Sequence, residues 1–131
     1  MKKIVNTENA PKAIGPYNQA IIETKSGLVF TSGQIAIDPK TSDLVGITAT
    51  EQTEQVMKNL QAILAQAGGS MENVVKVTLY LKDLKDFSAV NEVYARYFKV
   101  DPPARATAEV SRLPKDALVE IDMIAYVGSD S

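Results

Sequence analysis

The residues with the most chemical capacity in this chain lie near its C-terminal end. In the run 104 to 110, Arg105, Thr107 and Glu109 alternate with Ala106, Ala108 and Val110, so the two-residue period of a strand puts the first three on one face. In the run 117 to 127, Leu118, Glu120, Asp122 and Ile124 share a face in the same way. A turn centred between Leu113 and Pro114 would set Asp122 opposite Arg105 and Glu120 opposite Thr107, unless a bulge alters the pairing. An arginine and two carboxylates would then form one patch. The planar guanidinium fork suits a carboxylate ligand, because it donates two parallel hydrogen bonds and keeps its charge. A glutamate beside an apolar strand, with its pKa raised by burial, can position water and move protons. Hydrolysis of a small substrate that carries a carboxylate could use both. A structural salt bridge from Arg105 to Glu120 or Asp122 accounts for the same residues, and spacing alone favours it.

Composition narrows the chemistry. The 131 residues, 45% hydrophobic, suffice for one domain over 1–131 and are too few for two of ordinary size. Histidine, cysteine and tryptophan are absent, which excludes disulfides, Cys/His zinc sites and Ser-His-Asp or Cys-His catalysis. Catalysis would rest on carboxylates, arginine, lysine, hydroxyls or backbone groups, and no metal site is expected. The 14 basic and 16 acidic residues are interspersed at a net charge of -2, so no nucleic-acid partner is expected. Met1 to Asn6 lead into no apolar segment, and no run is long enough to span a membrane. A cytoplasmic protein without membrane contact is the expectation.

The elements that must hold these residues follow from periodicity. Residues 18 to 24 and 28 to 36 favour strands, and Lys25-Ser26-Gly27 between them predicts a hairpin. Val56, Met57, Leu60, Ile63, Leu64 and Ala67 recur at helical spacing, with a Thr48/Glu51 capping box upstream and Gly68-Gly69 as the stop. Val75, Val77, Leu79 and Leu81 alternate with Lys76, Thr78, Tyr80 and Lys82 as a strand. A second helix is predicted from about 86 to 98, with Phe87, Val90, Tyr94, Tyr97 and Phe98 in one stripe, halted by Asp101-Pro102-Pro103. Strands at 104 to 110 and 117 to 127 close the chain, and 128–131 reads as a frayed tail. The order β-β-α-β-α-β-β implies an α+β fold, two hairpins joined by helical crossovers, with both helices on one face of a mixed sheet. The other face, carrying Thr78, Tyr80, Leu118, Ile124 and Tyr126, is apolar enough to call for a second subunit.

The segment Pro103 to Asp116, ending in Val119-Glu120-Ile121, resembles the signature of the RidA or YjgF family of reactive-intermediate deaminases. Asn9-Ala10-Pro11, Ile14-Gly15-Pro16-Tyr17, Thr31-Ser32-Gly33-Gln34, and Lys82-Asp83-Leu84 through Val90-Asn91 are similar to further family stretches in the same order. The resemblance implies a chorismate-mutase-like fold and a homotrimer with its sheets facing the interior and active sites between subunits. It implies hydrolysis of 2-iminobutanoate and 2-iminopropanoate, formed from threonine and serine, to 2-oxobutanoate or pyruvate and ammonia, without a cofactor. By position it makes Arg105 the carboxylate binder and Glu120 the group that orients or activates water. Tyr17 becomes a pocket wall, Ser32 and Asn91 become residues of the cleft, and the backbone of Thr107 a polar contact. Thr107 and Ala108 depart from the cysteine and branched apolar residue many members carry there.

Two other readings remain open. A trimer of this fold could bind small acids or proteins without turnover; some relatives are named for translation inhibition, ribonuclease or chaperone activity. Fold alone also suggests a chorismate mutase, which would need several cations around a dicarboxylate, and the chain has only Arg96, Arg105 and Arg112 as arginines.

Overall fold

The computed structural model describes residues 1–128; of the expected frayed tail, only Gly128 falls within the described residues. Six strands form one mixed sheet: β1 (Lys2–Val5), β2 (Ala20–Glu23), β3 (Leu28–Thr31), β4 (Val74–Leu81), β5 (Ala104–Glu109) and β6 (Val119–Tyr126). Two helices, α1 (Ala49–Gln66) and α2 (Phe87–Ala95), follow β3 and β4. The spatial order is β1-β2-β3-β6-β4-β5, with β4 and β5 parallel and the other neighbours antiparallel. The α+β class, the mixed sheet and the two helices agree with the expectation.

Local sequence explains most elements. Thr48 caps α1 by accepting from the Glu51 amide, while the Glu51 carboxylate accepts from the Thr48 amide. Val56, Met57, Leu60, Ile63 and Leu64 are fully buried, as their spacing predicts. Gly68 ends the helix at φ 91°, a left-handed conformation that glycine adopts without Cβ strain. The second helix is shorter than predicted: Leu84–Asp86 is a 3-10 turn and α2 proper ends at Ala95. The core lies between the helices and the sheet face bearing Val77, Leu79, Leu81, Val119, Ile121 and Met123.

Three expectations are corrected. First, β1 pairs with β2 and lengthens the sheet; the short, lysine-led Lys2–Val5 stretch gives too little alternation to announce a strand. Second, Val75 is exposed, because a register shift between Val74 and Lys76 inserts one residue and turns it out of the apolar face. Third, β5 and β6 form no hairpin, since β4 lies between them and pairs with both. The connection from β5 crosses the end of β4: the Val110 amide donates to the Leu81 carbonyl, the Lys82 amide to Leu118, and Lys82 Nζ to the Ser111 carbonyl.

This third correction separates the predicted patch. Arg105 is level with Val77 of β4, and Val77 with Met123 of β6, so Arg105, Thr107 and Glu109 lie on the helix side. Glu120 is level with Tyr80 and Asp122 with Thr78, on the uncovered side. That side also carries Ile4, Phe30 and Tyr126, all exposed large apolar residues.

Candidate functional site

Glu120 sits where β3 breaks its regular pairing. Phe30 is opposite Ile124 and Gln34 is bridged to Ile121, so four steps along one strand span three along the other. The extra residue carries Ser32 and Gly33 outward beside Glu120. A Cβ built on Gly33 would lie 2.6 Å from Glu120 Oε2 and 2.9 Å from Cδ, so the carboxyl group occupies the space that glycine leaves. Burial raises the Glu120 pKa above its ordinary 4.5, and the nearby Asp122 charge adds to the shift. Asp122 is itself raised by burial, against a lowering hydrogen bond from Tyr80.

A cavity of about 600 Å³ opens at this point, with Glu120, Ser32, Gly33, Tyr17, Lys12 and Lys115 among its lining residues. Its outer wall is the segment before β2, tied down by Gln19 and Ser32. Gln19, only 2% exposed, accepts from the Thr7 amide at 2.7 Å and donates to the carbonyls of Thr7, Ala10 and Pro11 at 2.9, 3.2 and 2.9 Å. The loop then runs through Gly15-Pro16 to Tyr17, whose hydroxyl accepts from the Ile14 amide at 3.4 Å. Ser32 fastens the near end: its amide donates to the Gln19 carbonyl and its hydroxyl to that of Asn18.

Arg105 faces a second cavity, of about 430 Å³, with Asn91, Tyr94, Ala95, Phe98, Pro102 and Pro103. Its Nη1 donates to Asn91 Oδ1 at 2.7 Å, and its guanidinium lies over the rings of Tyr94 and Phe87. Among the described residues no carboxylate pairs with it, so the salt bridge to Glu120 or Asp122 is not formed; the two acids are on the other face of the sheet. The other arginines are engaged elsewhere, Arg96 with Glu54 at 2.7 Å and Arg112 with Asp116 at 2.9 Å. Thr107, half-buried two residues beyond Arg105, lines neither cavity.

The six candidate residues thus fall into two groups: Tyr17, Ser32 and Glu120 in one cavity, Arg105 and Asn91 in the other with Thr107 on the same strand face. Sequence reasoning missed Gly33 as the seat of Glu120, although a glycine inside a strand-like run is a signal of close approach. It also missed the contact of Phe87 and Tyr94 with Arg105, since their apolar stripe reads equally well as core. Among the described residues no cluster of acids could hold a metal ion, and no helix is long and apolar enough to cross a membrane.

Residues 7–127 match the family model described as endoribonuclease L-PSP. The chain is 57% identical over 127 residues to a RutC family protein of Pyrococcus horikoshii, covering 96% of this chain and 98% of that one. It is 48% identical over 124 residues to the chloroplastic Reactive Intermediate Deaminase A of Arabidopsis thaliana, covering 95% of this chain and 65% of the plant protein. Among solved structures, a protein of the Rid family, YyfA of Yersinia pestis, superposes with a TM-score of 0.93 at 50% identity, covering 97% of this chain and 100% of that one. E. coli TdcF, solved with bound serine, superposes with a TM-score of 0.89 at 39% identity, covering 95% and 98%. The chain therefore belongs to the endoribonuclease L-PSP family, among RutC family proteins and reactive intermediate deaminases, as its resemblance to RidA and YjgF implies.

Proposed function

We propose that the protein is a cytoplasmic, cofactor-free deaminase that hydrolyses 2-iminobutanoate and 2-iminopropanoate to 2-oxobutanoate and pyruvate with release of ammonia. Its active sites lie between the subunits of a homotrimer of this single-domain chain. The observation that carries this reading is the division of the candidate residues between two cavities. Arg105 has no carboxylate partner, and Glu120 has a raised pKa, yet they occupy opposite faces of the sheet. A cleft that sets the Arg105 cavity of one copy against the Glu120 cavity of the next brings together what one chain keeps apart. The apolar residues of the uncovered sheet face favour such an assembly.

In that cleft Arg105 binds the substrate carboxylate through the guanidinium edge not given to Asn91. Asn91 accepts from Arg105 through its oxygen, which leaves its amide nitrogen as a donor. The Thr107 backbone lies along the same edge strand, Tyr17 forms a wall, and Ser32, its hydrogen given to Asn18, serves as an acceptor. An enamine first takes a proton on carbon and gives one up from nitrogen, becoming the imine. Water held by Glu120 adds through oxygen to the imine carbon, and one water proton passes by way of Glu120 to nitrogen, giving a carbinolamine. The hydroxyl proton follows the same route, the C–N bond breaks with its electron pair leaving on ammonia, and the C=O bond forms.

The test supplies 2-iminobutanoate continuously from threonine and a threonine dehydratase. The protein speeds 2-oxobutanoate formation, and Arg105→Ala abolishes the effect with the oligomer intact. A second reading, binding without turnover, is favoured by the serine in the E. coli TdcF structure. The two separate in this assay, since a binding protein leaves the rate unchanged.

A further inference from the structure

One stripe of α2 holds the Arg105 guanidinium. Phe87, Asn91 and Tyr94 stand at positions i, i+4 and i+7, which a helix brings onto one side. Asn91 takes one N–H at 2.7 Å; the guanidinium carbon lies 4.9 Å from the centre of the Tyr94 ring and 5.4 Å from that of Phe87. A guanidinium at this distance over a ring face is attracted by its quadrupole, and more strongly where water is excluded. Tyr94 is 5% exposed and packs on Phe98 with ring centres 4.8 Å apart. Its buried hydroxyl has no hydrogen-bond partner. The ring face meets the guanidinium, while burial raises the hydroxyl's pKa and the Arg105 charge, which also bears on it, acts to lower it.

We infer that Tyr94 is a positioning residue for carboxylate recognition: with Phe87 it fixes the Arg105 guanidinium through its ring face rather than through a hydrogen bond to its hydroxyl. This rests on the carboxylate-binding role of Arg105 proposed above. A long side chain on an edge strand loses rotational freedom when it grips a ligand. A fork already stacked on two rings and tethered by Asn91 has surrendered that freedom in the free protein, so more of its binding energy reaches the ligand. The phenylalanine variant keeps the ring and removes only a hydroxyl that has no hydrogen-bond partner, which makes it the natural control.

The experiment compares Tyr94→Leu with Tyr94→Phe in the full chain. With only three arginines, the Arg105 Nε–H signal can be assigned by its loss in Arg105→Lys. Ring currents displace this signal in the wild type. Tyr94→Phe restores both that displacement and the affinity for 2-oxobutanoate, whereas Tyr94→Leu loses the displacement and binds 2-oxobutanoate about tenfold more weakly. In turnover, Tyr94→Leu raises KM with little change in kcat. Tyr94→Met, unbranched and able to fill the core without a ring, takes the place of Tyr94→Leu if that variant does not fold. Equal losses in the phenylalanine and ring-less variants would overturn the inference by showing that the hydroxyl acts. An unchanged signal and affinity without the ring would overturn it too. If the wild type binds no 2-oxobutanoate, the carboxylate reading falls, and the Nε–H displacement alone decides whether the ring fixes the guanidinium.

Discussion

Arg105 and Glu120 stand on opposite faces of one sheet, on two strands that both pair with β4 and never with each other. If each active site takes Arg105 from one subunit and Glu120 from the next, two inactive variants complement. Arg105→Ala and Glu120→Ala, refolded together in equal amounts, regain activity at about a quarter of the sites, the fraction in which an intact arginine meets an intact glutamate. Each variant alone stays inactive. Mixed oligomers without activity would show that the two residues do not work across a subunit boundary.

If Glu120 holds the attacking water as proposed, the acid limb of the pH–rate profile tracks its ionisation. A carboxylate that helps water attack must be ionised, and burial together with Asp122 raises its pKa above 4.5. Activity therefore falls away on acidification at a pH above that of an ordinary glutamate. Asp122→Asn removes a neighbouring negative charge, so ionisation becomes easier and the limb moves to lower pH. Stability runs the other way: a carboxyl whose folded pKa is raised stabilises most while protonated, and that contribution is lost as pH rises through the folded value. Profiles of kcat/KM for the wild type and Asp122→Asn check the direction; a shift to higher pH would contradict the assigned coupling.

Gly33→Ala separates position from presence. The new methyl would meet Glu120 Oε2 at 2.6 Å, and the flexible carboxyl end is the part that can yield. Folding stability changes by no more than about 1 kcal/mol, while turnover drops about 10- to 100-fold through misplacement of the acid. Combined with Glu120→Ala, the substitution costs nothing further. Additive losses in the double variant would mean that Gly33 acts on something other than Glu120.

Gln19→Leu removes the clasp on residues 7 to 11. Four hydrogen bonds disappear at a nearly fully buried position, leaving carbonyls and an amide without their partner. A loss of about 2–4 kcal/mol follows, read as a lower melting midpoint. Amide exchange accelerates first in residues 7 to 17 and leaves α1 protected. Uniform acceleration would show the clasp to be part of the core rather than of the loop.

Local features of the fold were legible because they are written locally. Thr48 with Glu51, the apolar ladder from Val56 to Leu64 and Gly68 mark α1 without reference to any other segment. The position of β4 is of another kind: alternation in 104 to 110 and 117 to 127 says which residues share a face of their own strand, and nothing about which strand lies alongside. A short connection suggested a hairpin, and the connection in fact passes over the end of β4. That single long-range fact moved Arg105 away from Glu120. All six candidate residues were nameable from family resemblance, but their division between two cavities was not, because it depends on sheet order. Gly33 and Tyr94 were hidden for a related reason: each is defined by what a distant residue does against it.

The clasp at Gln19 and the tie at Ser32 have a consequence for how this protein can change. Between them, residues 12 to 16 carry exposed side chains such as Ile14, contribute to a cavity wall, and hold no part of the buried core. Their sequence can be exchanged while both anchors stay in place, so new appetites can be bred into the cavity without rebuilding the scaffold beneath it.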